Sequence, residues 1–175
     1  MTRASICLVD ENVLINASRD IYPPDRIPEF WRWLRHWVDK GRVRTLKRIT
    51  KRLKHDAQPG KPEDELSRWI RNHERELCVE HPHKDAVARV LRDGYDVTSL
   101  ADVSRGDPND VFLIAAALAA PGKRVVVTME DPHRRAKKGR KRRIPYVCDR
   151  LGVKRASLFR MLRELDFRTS DWRGP

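Results

Sequence analysis

Apolar residues in this chain fall into short runs and helical stripes divided by charged or turn-forming residues. The run Ser5–Val9 has the length and character of a strand buried on both faces of a parallel sheet. It ends in Asp10-Glu11-Asn12, where Asp or Asn can cap a helix beginning at Val13. Between Pro28 and Lys40, Phe30, Trp33, Leu34 and Trp37 recur at helical spacing and Gly41 supplies the stop. This predicts a helix with its aromatic stripe in the core and Trp31 off that stripe. Val43–Leu46 reads as a short strand, and Lys47–Lys54 carries Ile49 and Leu53 at helical spacing on a basic surface. After the turn-rich Gln58–Pro62, Glu63-Asp64-Glu65 opens a helix that buries Leu66, Trp69 and Ile70. A helix over Lys84–Arg92 is followed by an apolar helix over Val111–Ala120, capped by Asn109 or Asp110 and ended by Pro121-Gly122. Arg124–Thr128 is a second buried strand, running straight into Met129-Glu130-Asp131-Pro132. Strands alternating with helices predict an α/β domain with a parallel sheet covered on both faces. The length, 175 residues, fits a single domain over 1–175.

Charge adds a partner to this picture. Lys and Arg number 38 against 25 Asp and Glu, a formal net charge of +13. The excess is clustered: Arg42–Lys54 contains no acid, and neither does a basic loop at 133–143. That loop holds Arg134, Arg135, Lys137, Lys138, Arg140, Lys141, Arg142 and Arg143. Such concentration points to a polyanion, and nucleic acid is the expected one. A solvated face, an acidic protein partner and a membrane surface are the alternatives. The longest apolar run, Val111–Ala120, is too short to span a bilayer, and Ile6–Val9 is too short for a signal peptide's apolar region. Cys7, Cys78 and Cys148 are odd in number and lack CxxC pairing, which fits neither a zinc ribbon nor a disulfide framework and does fit the reducing cytoplasm. Walker, G-x-S-x-G and G-x-G-x-x-G patterns do not occur, which disfavours P-loop, serine-hydrolase and dinucleotide chemistry.

The acids supply the candidate chemistry. Asp10 follows one buried strand, Glu130 follows another, and Asp110 begins the helix leading into the second. Neighbouring parallel strands would bring all three to the carboxyl edge, where sites form in open α/β sheets. Gathered carboxylates repel one another unless a cation lies between them, and an oxygen-rich site suits Mg²⁺ or Mn²⁺. Such an ion activates water and stabilises in-line displacement at phosphorus. Each acid alone is more ordinarily a helix cap or a surface group, and spacing does not choose between the two roles.

The stretch Leu8-Val9-Asp10-Glu11-Asn12-Val13-Leu14-Ile15 resembles the opening of PIN-domain nucleases, the fold of VapC-like toxins. Further along, the chain is similar to a bacterial, toxin-like branch of that family. The features are Tyr22-Pro23, Phe30-Trp31-x-Trp33-Leu34, Asp64-Glu65-Leu66-x-x-Trp69, Asp110-x-x-Leu113-Ile114-Ala115, Val126-Val127-Thr128-x-Glu130, Ile144-Pro145-x-Val147-Cys148 and Gly152-Val153. Their order and spacing carry the likeness over nearly the whole chain. The resemblance implies a three-layer α/β/α sandwich around a central parallel sheet and a Mg²⁺- or Mn²⁺-dependent endoribonuclease. RNA is the implied substrate, and a toxin of this kind is often held by an antitoxin; a homodimer is a further option. Carried over, Asp10, Asp110 and Glu130 would bind metal, Asn12 would hold the Asp10 loop, and Thr128 would orient the Glu130 loop. Arg52 departs from the pattern, standing where a glutamate is expected. A guanidinium about 5 Å from a divalent ion replaces attraction with repulsion of several kcal/mol at an effective dielectric near 20. Asp56, Glu63 or Asp131 would then substitute, or metal binds weakly, or Arg52 serves as an electrophile toward phosphate. The remaining alternative is a degenerate nuclease that only binds RNA.

Val147-Cys148-x-x-Leu151-Gly152-Val153, with Leu158 and Met161, also fits a helix-turn-helix regulator in which Arg155, Ser157 and Arg160 would face DNA. Under the PIN resemblance the same residues give a helix, a strand over Val153–Leu158 and a closing helix over Phe159–Leu165. His81-Pro82-His83 reads as surface loop, and Cys148 as core.

Overall fold

Among the described residues five short strands carry the fold: β1 (Ile6–Val9), β2 (Val43–Leu46), β3 (Cys78–Val79), β4 (Arg124–Thr128) and β5 (Arg155–Ser157). The computed structural model describes residues 5–55, 64–103, 108–132 and 142–169. The strands form one sheet in the order β3-β2-β1-β4-β5, and every pairing is parallel. Cys7 pairs with Val43 on one side of β1, while Val9 pairs with Val127 on the other. Central strands of such a sheet touch helices on both faces, so they must be apolar throughout. Cys7, Leu8, Val9 and Val125–Val127 are accordingly inaccessible to solvent.

Among the described residues eight α-helices surround the sheet: α1 (Glu11–Asn16), α2 (Pro28–Asp39), α3 (Lys47–His55), α4 (Glu65–Leu77), α5 (Lys84–Arg89), α6 (Pro108–Leu118), α7 (Ile144–Leu151) and α8 (Leu158–Glu164). The chain steps outward from β1 to β2 to β3, then returns across the sheet to β4 and β5. Right-handed crossovers place α2, α3 and α4 on one face and α5, α6 and α7 on the other. The result is a three-layer α/β/α sandwich. Trp33 and Trp37 both donate indole N–H groups to the Leu165 carbonyl at 3.1 Å, tying the end of α8 to the α2 layer. One continuous apolar core joins sheet and helices.

Several local details differ from the expectations. Trp31 faces inward, 5% exposed, because its indole donates to the Tyr22 carbonyl at 2.7 Å and its ring meets Trp69 edge-on. α1 and α6 begin earlier than expected, at Glu11 and Pro108, so Asn109 and Asp110 lie inside the first turn of α6. The helix-turn-helix does not form. α7 ends at Gly152 in a left-handed conformation (φ 66°), and β5 then pairs with β4 before α8 begins. A ladder strand occupies the place of the turn, and Arg155 pairs with Asp149 of α7 instead of facing outward.

Candidate active site

β1 and β4 are adjacent, yet the connections leaving them run to opposite sides of the sheet. Their carboxyl ends are therefore a topological switch point, the place where sites form in open α/β sheets. Asp10 is the first residue beyond β1, and its backbone N–H donates to the Val127 carbonyl at 2.9 Å, so the ladder fixes its position. Although Asp10 occupies the N-cap position of α1, its side chain makes no capping hydrogen bond. The carboxylate instead accepts from the Thr128 hydroxyl at 3.3 Å. It is 2% exposed. Burial, with the neighbouring charges of Glu130 and Glu11, pushes its pKa up to about 7 despite hydrogen bonds from the Glu11 backbone and Thr128. A helix cap would have been stabilised as an anion; this acid is held in a place where ionisation is costly.

Thr128 also shapes the next loop, since its hydroxyl accepts from the Glu130 backbone N–H at 3.2 Å. One hydroxyl thus links the ends of both central strands. The Glu130 carboxylate accepts from the Ile144 N–H at 2.8 Å, at the start of α7. Asp110 lies in the first turn of α6. Together with Glu130 it raises the pKa of buried Cys148, whose main perturbation is burial itself.

On the α3 side, Glu11 turns inward and is 6% exposed. Arg52 lies 3.2 Å from one of its oxygens, and Asn109 donates to the other at 3.4 Å. Arg48, one turn before Arg52, donates to the Asn109 amide oxygen at 3.3 Å and stacks over Phe112 at 4.0 Å. Two guanidinium groups therefore stand beside the acids, each anchored through a residue next to one. Asp10, Glu11 and Glu130 supply hard anionic oxygens, and Thr128 a neutral one. Among the described residues, no three His, Cys, Asp or Glu side chains form a ready-made metal cage. Mg²⁺ commonly retains several waters and takes only one or two protein carboxylates, a donor set these oxygens fit.

Residues 7–169 match the model of a family described as a domain of unknown function, DUF4411. The chain belongs to that family. No curated protein and no solved structure gives a significant match.

In this DUF4411 chain the expected site residues separate into three groups. Asp10, Thr128 and Glu130 meet at the switch point, and Asp110 joins them electrostatically through shared neighbours. Asn12 does not hold the Asp10 loop: it is exposed on α1, and no hydrogen bond from its side chain is found among the described residues. Thr45 does part of that work, donating to the Val9 carbonyl at 2.7 Å. Arg134, Arg135, Lys137, Lys138, Arg140 and Lys141 lie outside the described residues, as do Asp56 and Glu63. Arg142 lies nearly flat against the fold, its side chain 12% exposed, and bonds to Asp96 and the Gly94 carbonyl. It clasps the Val90–Tyr95 turn instead of presenting itself to a polyanion. Arg143 precedes α7 at its N-cap position. Asp131 is exposed.

Three residues of the region were not anticipated. Glu11 and Arg48 look in sequence like a first-turn acid and one charge of a run; only their long-range partners distinguish them. Tyr95 has no local motif. It is presented by a π-helical turn, Val90–Tyr95, of the kind that recurs at functional sites.

Proposed function

We propose that this protein is a Mg²⁺- or Mn²⁺-dependent endoribonuclease of the PIN type, hydrolysing RNA phosphodiester bonds. The observation that carries the reading is Asp10: a buried carboxylate at a topological switch point, not used as a cap, facing the additional charges of Glu130 and Glu11. A fold gains nothing from such an arrangement unless a cation or a proton joins it. Asp10, Asp110 and Glu130 would hold the ion. When bound, it supplies a nucleophilic water and offsets charge developing at phosphorus. Thr128 fixes the Asp10 and Glu130 loops at a constant separation. Arg52 and Arg48, exposed on α3, meet the RNA phosphate, and the basic loop at 133–143, Arg142 excepted, guides the backbone.

The resemblance to VapC-like proteins makes a cytoplasmic toxin with a cognate antitoxin the natural setting. A second reading is favoured by the Glu11–Arg52 pair: with a guanidinium in the place of a carboxylate, the chain binds RNA without cutting it. Incubation with total RNA in Mg²⁺ or Mn²⁺ separates the two. Cleavage abolished by chelator and by Asp10→Asn supports the nuclease. Equal cleavage by wild type and Asp10→Asn removes the proposed mechanism, while salt-sensitive binding with no cleavage selects the second reading.

A further inference from the structure

α3 presents an arginine whose guanidinium already rests on a ring. Arg48 Cζ lies 4.0 Å from the ring centroid of Phe112, a residue of α6 that is 5% exposed. Its Nε donates to the Asn109 amide oxygen at 3.3 Å, and the Asn109 amide nitrogen donates in turn to Glu11 at 3.4 Å. Ring contact and hydrogen bond together fix the plane of a side chain that is otherwise rich in rotamers. One face of that plane is against the buried ring, so the other is turned away from the core, and Arg48 is an exposed residue. Among the described residues no hydrogen bond from its two terminal nitrogens is found.

His81 meets the same ring. Its imidazole centroid lies 4.9 Å from that of Phe112, with the planes at 59°, and His81 is also exposed. A buried phenyl thus carries two exposed planar groups from two other parts of the chain. Covering Phe112 needs only the aliphatic stem of an arginine. Here the guanidinium itself takes that place, and a second bond sets its orientation. Planar cationic and aromatic faces are what unpaired RNA bases stack on. A base inside an A-form helix is closed to them, because its neighbours already cover both of its faces.

We propose that the outer face of Arg48, backed by Phe112 and flanked by His81, is a stacking platform for one unpaired base, making the protein selective for single-stranded RNA. This rests on the RNA side of the reading above and needs neither a metal ion nor cleavage. The terminal nitrogens still meet a phosphate; the face adds a base. The plane is set before RNA arrives, so little rotamer freedom is lost there on binding. Every base has a π-face, so the platform selects strandedness and not sequence.

Fluorescence anisotropy of the full chain with labelled RNA, in chelator so that no strand is cut, reads the outcome. Wild type should bind a single strand about 10-fold more tightly than the same sequence in a duplex. Arg48→Lys keeps the charge and loses the plane. It should bind the intact single strand about 10-fold more weakly, with an unchanged salt slope. On a fully abasic strand with the same number of phosphates, the variant and wild type should bind alike. Equal losses on intact and abasic strands would assign Arg48 to phosphate contact alone and overturn the platform. So would intact-strand binding equal to wild type. A wild type that binds single strand and duplex equally overturns it without any variant. A wild type that binds neither overturns this proposal together with the RNA reading beneath it.

Discussion

Replacing Asp10 with Asn should stabilise the metal-free protein at neutral pH. In the unfolded chain this carboxyl ionises near 3.8; in the folded protein burial and the charges of Glu130 and Glu11 delay ionisation to about pH 7. Between those values the unfolded chain gains free energy by losing the proton and the folded protein does not. The stabilising contribution of Asp10 is therefore whole below about pH 4, declines as pH rises, and is gone above pH 7. Three pH units at about 1.4 kcal/mol each set a ceiling of about 4 kcal/mol. Asparagine has the shape of the protonated acid and no ionisation to lose. Urea unfolding of both proteins in chelator, from pH 4.5 to pH 8, isolates the effect as a difference between two curves. The Asp10→Asn variant should gain on wild type up to about pH 7 and hold a constant advantage from there to pH 8. Saturating Mg²⁺ should stabilise wild type and leave the variant where it was. Parallel pH profiles would show that Asp10 ionises freely in the folded state, and the strained-carboxylate reasoning would fail.

Arg52→Ala should destabilise the fold by about 1–2 kcal/mol in urea unfolding. It strands a Glu11 side chain that is 8% exposed, but Arg52 is itself 52% exposed, so water recovers part of what a buried pair would lose. A Glu11→Gln background should erase that cost; an equal cost in both backgrounds would mean the pair is not coupled. Gly94→Ala should lower stability by about 1–3 kcal/mol, because its Cβ would sit 2.7 Å from Val147 Cγ1 and 3.2 Å from Leu151 Cδ1. A melting temperature equal to wild type would show that α7 yields freely there. RNA affinity should fall steeply between low and physiological salt, measured by filter binding; a flat dependence would rule out backbone contacts by the basic segments.

The elements legible in the sequence were those whose residues must satisfy a local rule. β1 and β4 had to be apolar on both faces, so Cys7–Val9 and Val125–Val127 announced central parallel strands, and with them the edge where Asp10 and Glu130 emerge. α2 declared itself by aromatic spacing. β3 was invisible for the opposite reason: Cys78–Val79 has two half-buried residues and no period to read. Trp31 seemed to lie off the stripe because helical spacing describes one face, whereas α2 packs against the sheet and also α4, where Trp69 receives it. The acids at the site were found through their positions after strands. The inward turn of Glu11 was not, because an acid in a first helical turn is ordinarily explained by the helix dipole. Its partners Arg52 and Asn109 lie 41 and 98 residues away, beyond any local pattern. Arg142 belonged to a run that reads as solvated, and only the fold shows it spent on Asp96 and Gly94.

Crystals grown with Mn²⁺ would test the centre of this picture most directly, through anomalous scattering at the carboxyl edge of β1 and β4. A peak shared by the carboxylates of Asp10, Asp110 and Glu130 is expected, and it should vanish in Asp110→Asn crystals. A wild-type crystal at millimolar Mn²⁺ with no peak there, and Asp10 still bonded to Thr128, would contradict the metal-dependent nuclease.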